Sequence, residues 1–117
     1  MSTDAYNIKP AQVYIYLKKG DNIIMAFNYT LNGSAFTDLA EGAVKMQIRD
    51  FRGNLKTTWQ SDGDTPDITL SENKLTITAD PLGYSGSYKY DIQYTDSNGI
   101  VETIQEGLAI ISNSETE

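Results

Sequence analysis

The side chains best placed to do chemistry in this chain are carboxylates. Asp62-Gly63-Asp64-Thr65-Pro66-Asp67 gathers three of them in one segment, and calcium asks for about six to eight converging oxygens. The segment lacks the EF-hand spacing and its terminal bidentate Glu, so it reads as a solvated turn that holds no metal. Paired carboxylates could also hydrolyse a glycosidic bond. Asp50, Asp62, Asp64, Asp67, Asp80 and Asp96 all fall in predicted turns, where Asp is a preferred turn former, and a single small β domain seldom forms the cleft such a pair needs. The chain has no histidine and no cysteine. That removes the commonest general base, the commonest metal ligand and any thiolate site. Arg49 and Arg52 flank Phe51, a pattern that suits a solvated turn better than a phosphate clamp. The residue types therefore point away from an enzyme, with no catalytic residues, no metal and no cofactor.

Tyrosine is the second unusual feature. Eight tyrosines stand against three phenylalanines, and tyrosine suits surfaces that must be apolar and hydrogen-bonding at once. Tyr14 and Tyr16 alternate with Val13 and Ile15, which turns the two rings outward as a candidate partner contact. Cross-strand aromatic pairing and a stacking platform for sugar rings are the competing readings. Tyr88, Tyr90 and Tyr94 are expected in the core.

The elements that carry these residues are strands. Lys74 to Tyr90 reads as an alternating strand with Leu75 and Ile77 on one face, a Pro/Gly turn, and a second strand opened by Gly86-Ser87-Tyr88. This spacing is that of a tyrosine corner, in which a Tyr hydroxyl returns to the backbone of the preceding turn. Gly86, Tyr88 and Tyr90 would form it, with the bulk of Tyr90 where antibody domains place a cysteine. Further strands follow from alternation at Val13–Leu17, Ile23–Tyr29, Val44–Ile48, Leu55–Trp59, Ile68–Leu70, Tyr88–Tyr94 and Val101–Ile111. The segment 31–42 reads as a loop turned by Asn32-Gly33, Asp96-Ser97-Asn98-Gly99 as a hairpin, and Glu106-Gly107 as a bulge. About seven or eight strands at this spacing predict one all-β, immunoglobulin-like antiparallel sandwich. It would span 13–112, between a polar arm (1–12) and an acidic tail (113–117).

A chain of 117 residues suffices for one such domain, since a chain of this size buries roughly two thirds of its unfolded surface. Its formal charge of −7 opposes nucleic-acid binding, which needs a basic footprint. No apolar run approaches a membrane span. The N-terminal residues have neither the basic start nor the apolar stretch of a signal peptide, which leads to the expectation of synthesis in the cytoplasm.

A set of short segments in order resembles the immunoglobulin-like domain of tailed-bacteriophage virion proteins, as at the N-terminus of baseplate upper proteins. The set comprises Gly20-Asp21, Asp38-Leu39-Ala40-Glu41-Gly42-Ala43, Met46-Gln47-Ile48-Arg49-Asp50, Leu75-Thr76-Ile77-Thr78, Tyr88-Lys89-Tyr90-Asp91-Ile92-Gln93-Tyr94, Gly99-Ile100-Val101 and Glu106-Gly107-Leu108-Ala109-Ile110. The resemblance implies a non-enzymatic structural part located in the virion, as a baseplate, neck, fibre-adaptor or head-decoration protein. It would contact other virion proteins, as a homo-oligomer or in multiple copies in the particle, bind neither nucleic acid nor membrane, and carry no cofactor. Tyr6 and Ile8 of the arm, with Tyr14 and Tyr16, would make the contacts. A carbohydrate-binding or host-surface adhesion module is the alternative.

Overall fold

The computed structural model describes residues 10–113. Its strands are β1 (Ala11–Gln12), β2 (Ile15–Lys18), β3 (Ile23–Asn28), β4 (Thr30–Leu31), β5 (Ser34–Ala35), β6 (Ala43–Arg49), β7 (Leu55–Gln60), β8 (Ile68–Ser71), β9 (Lys74–Ala79), β10 (Gly86–Thr95) and β11 (Val101–Ser112), with a 3₁₀ turn at Thr37–Glu41. One sheet runs β1–β11–β10–β6–β7, with β2 also on β11, and the facing sheet runs β3–β9–β8. The expected immunoglobulin-like sandwich is the observed architecture. Alternation dictates its interior: Val44, Met46 and Ile48 from β6, Tyr90, Ile92 and Tyr94 from β10, and Leu75 and Ile77 from β9 are all buried. Each such aliphatic side chain contributes about 1.5–3 kcal/mol by leaving water.

Segments outnumber the expected strands for two reasons. The single strand expected from Val13 is broken into β1 and β2, both parallel to β11 in one unshifted register. The break lies opposite Gly107, where a Cβ would sit 2.2 Å from the Val13 carbonyl oxygen. Ala11 and Gln12, expected in the arm, are therefore sheet residues. In the second place, the expected loop 31–42 contains structure. Asn32 and Gly33, at φ of 54° and 83°, make the two-residue turn of the β4–β5 hairpin, and the 3₁₀ turn buries Leu39. Tyr94 Oη donates to the Asp38 carbonyl at 2.9 Å and anchors that turn.

The ladder irregularity in β11 is also displaced from its expected place. Ile92 pairs with Gln105 and Gln93 with Thr103, so Ile104 is the extra residue. The bulge leaves both Ile104 and Gln105 buried. Gln105 then sits inside a hydrogen-bond chain: Tyr29 Oη donates to Gln105 Oε1 at 2.7 Å, Gln105 Nε2 donates to Tyr90 Oη at 3.0 Å, and Tyr90 Oη donates to the Val13 carbonyl at 2.7 Å. Burial first of all pushes the Tyr29 and Tyr90 hydroxyls up from their ordinary value.

Tyr88 Oη donates to the Ser85 carbonyl at 2.9 Å, within the turn that Gly86 ends, and the Tyr84 and Tyr88 rings meet edge-on at 4.9 Å. Tyr88→Phe strands the Ser85 acceptor and is expected to cost about 1–3 kcal/mol in chemical denaturation. Tyr14→Phe, at an exposed position, is expected to stay within about 0.5 kcal/mol. Equal losses in the two variants would remove the corner from the account of stability.

Candidate functional site

Each of the two large sheets has two margins, and a bare strand margin is a ready template for another chain. Among the described residues, three of these four are blunted. The β1–β2 margin is broken between Gln12 and Ile15. At the β7 margin Lys56 stands 5.4 Å over the Tyr84 ring, and lysine is a common edge guard. Strand β8 has four residues, and the 3₁₀ turn lies against it. Strand β3 is different. Its sequence, Ile23-Ile24-Met25-Ala26-Phe27-Asn28, contains no charge and no proline, and among the described residues it pairs on one side alone, with β9.

The direction of its free backbone groups follows from register. Tyr29 N donates to the Asn73 carbonyl at 2.9 Å, one step beyond the Asn28–Lys74 pair. Hydrogen-bonded and non-bonded pairs alternate in an antiparallel ladder, so Ile23, Met25 and Phe27 bond to β9. The N–H and C=O groups of Ile24, Ala26 and Asn28 point away from the sheet. On the far side of β9, Thr78 N donates to the Asp67 carbonyl at 2.8 Å, in phase with this assignment.

Two hollows flank the strand. The first, about 400 Å³, lies where β2 leaves one sheet and β3 begins the other, lined by Tyr16, Leu17, Lys18, Ile23, Met25 and Ser112 among others. The second, about 420 Å³, lies on the outer face at the start of β3, lined by Asn22, Ile24, Pro66, Asp67, Thr78 and Asp80 among others. Ile24 is 74% exposed, Tyr16 72% and Tyr14 58%. Thus Tyr16 lines the first hollow beside β3, Tyr14 is exposed two residues before it in the chain, and Tyr6 and Ile8 lie outside the described residues. Gly86 and Tyr88 belong to the corner at the start of β10, and Tyr90 is tied into the hydrogen-bond chain through Gln105. Sequence reading placed Ile24 and Ala26 on an outer face but could not mark them as a margin, because alternation does not say which strands have one neighbour.

Asp50 and Asp96 are carboxylates capped by local donors. Asp50 Oδ1 accepts from the Arg52 and Asn54 amides, both at 2.9 Å, and Oδ2 from Asn54 Nδ2 at 3.0 Å; the Asn54 side-chain bond is the main cause holding its pKa below the ordinary value. Asp96 Oδ1 accepts from the Asn98 and Ile100 amides. Asp91 is the exception. It stands opposite Glu106 in the register, and its Oδ1 is buried without a hydrogen-bond partner. Arg49 nearby donates instead to Gln47 Oε1 at 2.8 Å and the Gly53 carbonyl at 3.2 Å. Burial raises the Asp91 pKa, with Arg49 opposing the rise and Glu106 adding a smaller one. Folded protein thus holds this proton more tightly than the unfolded chain, so Asp91 opposes folding at neutral pH; the penalty starts to fade as pH falls through its folded value and is gone below the unfolded one. Asp91→Asn is expected to raise stability at pH 7 by about 0.5 kcal/mol, with the gain shrinking toward acid pH. A thermal-melting series against pH reads both; a less stable variant at pH 7 would show that the carboxylate supports the fold.

No protein-family model and no curated protein matches this chain. Among solved structures, it is similar to CopC from Methylosinus trichosporium OB3b, at 15% identity over 92% of this chain and 89% of that one, with a TM-score of 0.48. It is also similar to the PmoD soluble domain from Methylocystis sp. ATCC 49242 (Rockwell), at 14% identity over 83% of this chain and 77% of that one, with a TM-score of 0.51. The PmoD likeness speaks for the fold. The PmoD soluble domain is not a virion protein, and this likeness corrects the expectation drawn from the phage resemblance. The virion location, the virion partners and the structural role in a particle are dropped, together with the glycan-binding or adhesion alternative. The reason is physical. The segments that carried the resemblance are turns and ordinary strand stretches: Gly20-Asp21 turns β2 toward β3, Asp38–Glu41 lies in the 3₁₀ turn, Gly99 closes the β10–β11 hairpin, and Leu75–Thr78 and Tyr88–Tyr94 lie within β9 and β10. Any sandwich of this topology needs such signals, so they report architecture and not location.

Proposed function

We propose that this domain is a non-catalytic binding module that holds another polypeptide by strand addition along β3. One observation carries the reading: β3 is an uncharged, proline-free margin with outward backbone groups at Ile24, Ala26 and Asn28, while the other margins are broken, guarded or covered. Strand addition draws affinity from main-chain hydrogen bonds and specificity from alternate side-chain pockets, and the two hollows beside β3 supply such pockets. The non-catalytic part is supported by the lack of imidazole and thiolate in the chain and by the use of Asp50 and Asp96 as turn caps. Among the described residues, no group of three or more acidic side chains could hold a metal ion.

A suitable probe is the hexapeptide Lys-Leu-Thr-Ile-Thr-Ala, the sequence of β9, which is the strand β3 already accepts on its inner side. Added to the intact protein, it is expected to shift the amide resonances of Ile24, Ala26 and Asn28 and to slow their hydrogen exchange. Ala26→Pro removes an outward donor while leaving the β9 ladder intact, and is expected to weaken binding at least about tenfold. Ala26→Lys, an edge guard, is the second variant should proline perturb folding. Unchanged binding in both variants would sink the proposal, as would a peptide that shifts resonances elsewhere and leaves these three amides untouched.

A further inference from the structure

The hollows on the two faces of β3 differ in character, and a strand laid along β3 points successive side chains at them alternately. The hollow at the β2–β3 junction offers Leu17, Ile23 and Met25 to an inward-pointing side chain, with Lys18 and Asp21 also lining it. The hollow on the outer face carries Asp67 and Asp80 beside Ile24 and Pro66, and among the described residues no lysine or arginine lines it. Asp80 lies next to the start of β3, because Ile23 pairs with Ala79 and Asn22 and Asp80 line the same hollow. Asp67 is held across the sheet by its backbone bond to Thr78.

We infer that the strand received by β3 belongs to a partner protein, with an apolar row facing the gap between the sheets and a lysine or arginine on the outward row against Asp80 and Asp67. The inference rests on strand addition at β3 and specifies its partner. A basic side chain suits this place because its aliphatic stem covers Ile24 and Pro66 while its charge reaches the carboxylates. A second copy of the chain fits poorly. Its own β3 would present Ile24, Ala26 and Asn28 on the outward row, none of them basic, and each copy carries a formal charge of −7. A basic partner is instead steered toward the acidic surface.

The experiment compares two peptides on the intact protein, Lys-Leu-Thr-Ile-Thr-Ala and the same peptide with glutamate in place of its lysine. Leucine, isoleucine and alanine form one row of this strand; lysine and the two threonines form the other. At low salt the lysine peptide is expected to bind about tenfold more tightly, and the preference is expected to fade as salt screens it. Asp67→Asn with Asp80→Asn should abolish the preference while the amides of Ile24, Ala26 and Asn28 still respond to either peptide. Equal binding of both peptides by the unmodified protein overturns the basic-partner inference and leaves strand addition standing. Binding of neither peptide at β3 overturns strand addition itself. Sedimentation showing a dimer that Ala26→Pro dissociates makes a second copy the occupant, and likewise overturns the inference.

Discussion

Gln105→Leu is expected to cost about 2–4 kcal/mol in chemical denaturation, although leucine is apolar and similar in size. Gln105 is 1% exposed, and its amide accepts from Tyr29 and donates to Tyr90. Leucine leaves the Tyr29 hydroxyl without its acceptor, and stranding a buried polar group costs about 1–3 kcal/mol. The exchange of shape in a packed interior adds up to about 1.5 kcal/mol. The partner change tests this mechanism. Tyr29→Phe alone should destabilise, but in the Gln105→Leu background it should restore part of the loss, because both ends of the bond are then apolar. An additional loss in the double variant would show that the bond is not what Gln105 contributes. The same chain of hydroxyls limits stability at high pH. Tyr29 and Tyr90 titrate above the ordinary tyrosine value of 10.0 in the folded protein. Their contribution is therefore complete below about pH 10 and is lost as pH rises from there through the folded values. Tyr29→Phe should flatten this alkaline decline.

Gly107→Ala is expected to be as damaging, at about 3 kcal/mol. The backbone there has φ of 155°, and an added Cβ would meet the Val13 carbonyl oxygen at 2.2 Å and its carbon at 3.0 Å. Strained backbone costs about 1–3 kcal/mol and overpacking a similar amount. Relief requires Val13 to move, and Val13 is tied on both sides: its N–H donates to the Glu106 carbonyl at 3.0 Å and its carbonyl accepts from Tyr90. The β1–β2 segment should therefore detach from β11, which amide exchange at Val13 and Ile15 would reveal. Gly33→Ala is the control. That glycine has φ of 83° but nothing within 4 Å of an added Cβ, so strain alone applies and the loss should be about 1 kcal/mol. Similar losses at both sites would mean that the close approach at Val13 matters little.

Alternation along the chain determined by itself that this is an all-β sandwich. Val44, Met46 and Ile48, or Leu75 and Ile77, can be buried together only on one face of a strand. Turn chemistry was equally legible, since Asn32-Gly33 and Asp96-Ser97-Asn98-Gly99 satisfy local backbone needs whatever surrounds them. The corner at Tyr88 belongs here too, because its acceptor, Ser85, is three residues away. Tertiary structure decided the rest. The break at Val13–Tyr14 depends on Gly107, and the inward turn of Gln105 depends on an extra residue that β10 does not match. Neither is visible in the periodicity of one strand. The β3 margin is the clearest case. Ile24 and Ala26 look in sequence like any half-exposed strand residues, and they become a candidate docking edge because β9 covers one side of β3 while no described strand covers the other. Which strands are neighbours depends on long-range pairing, and the local pattern of one segment holds no record of it.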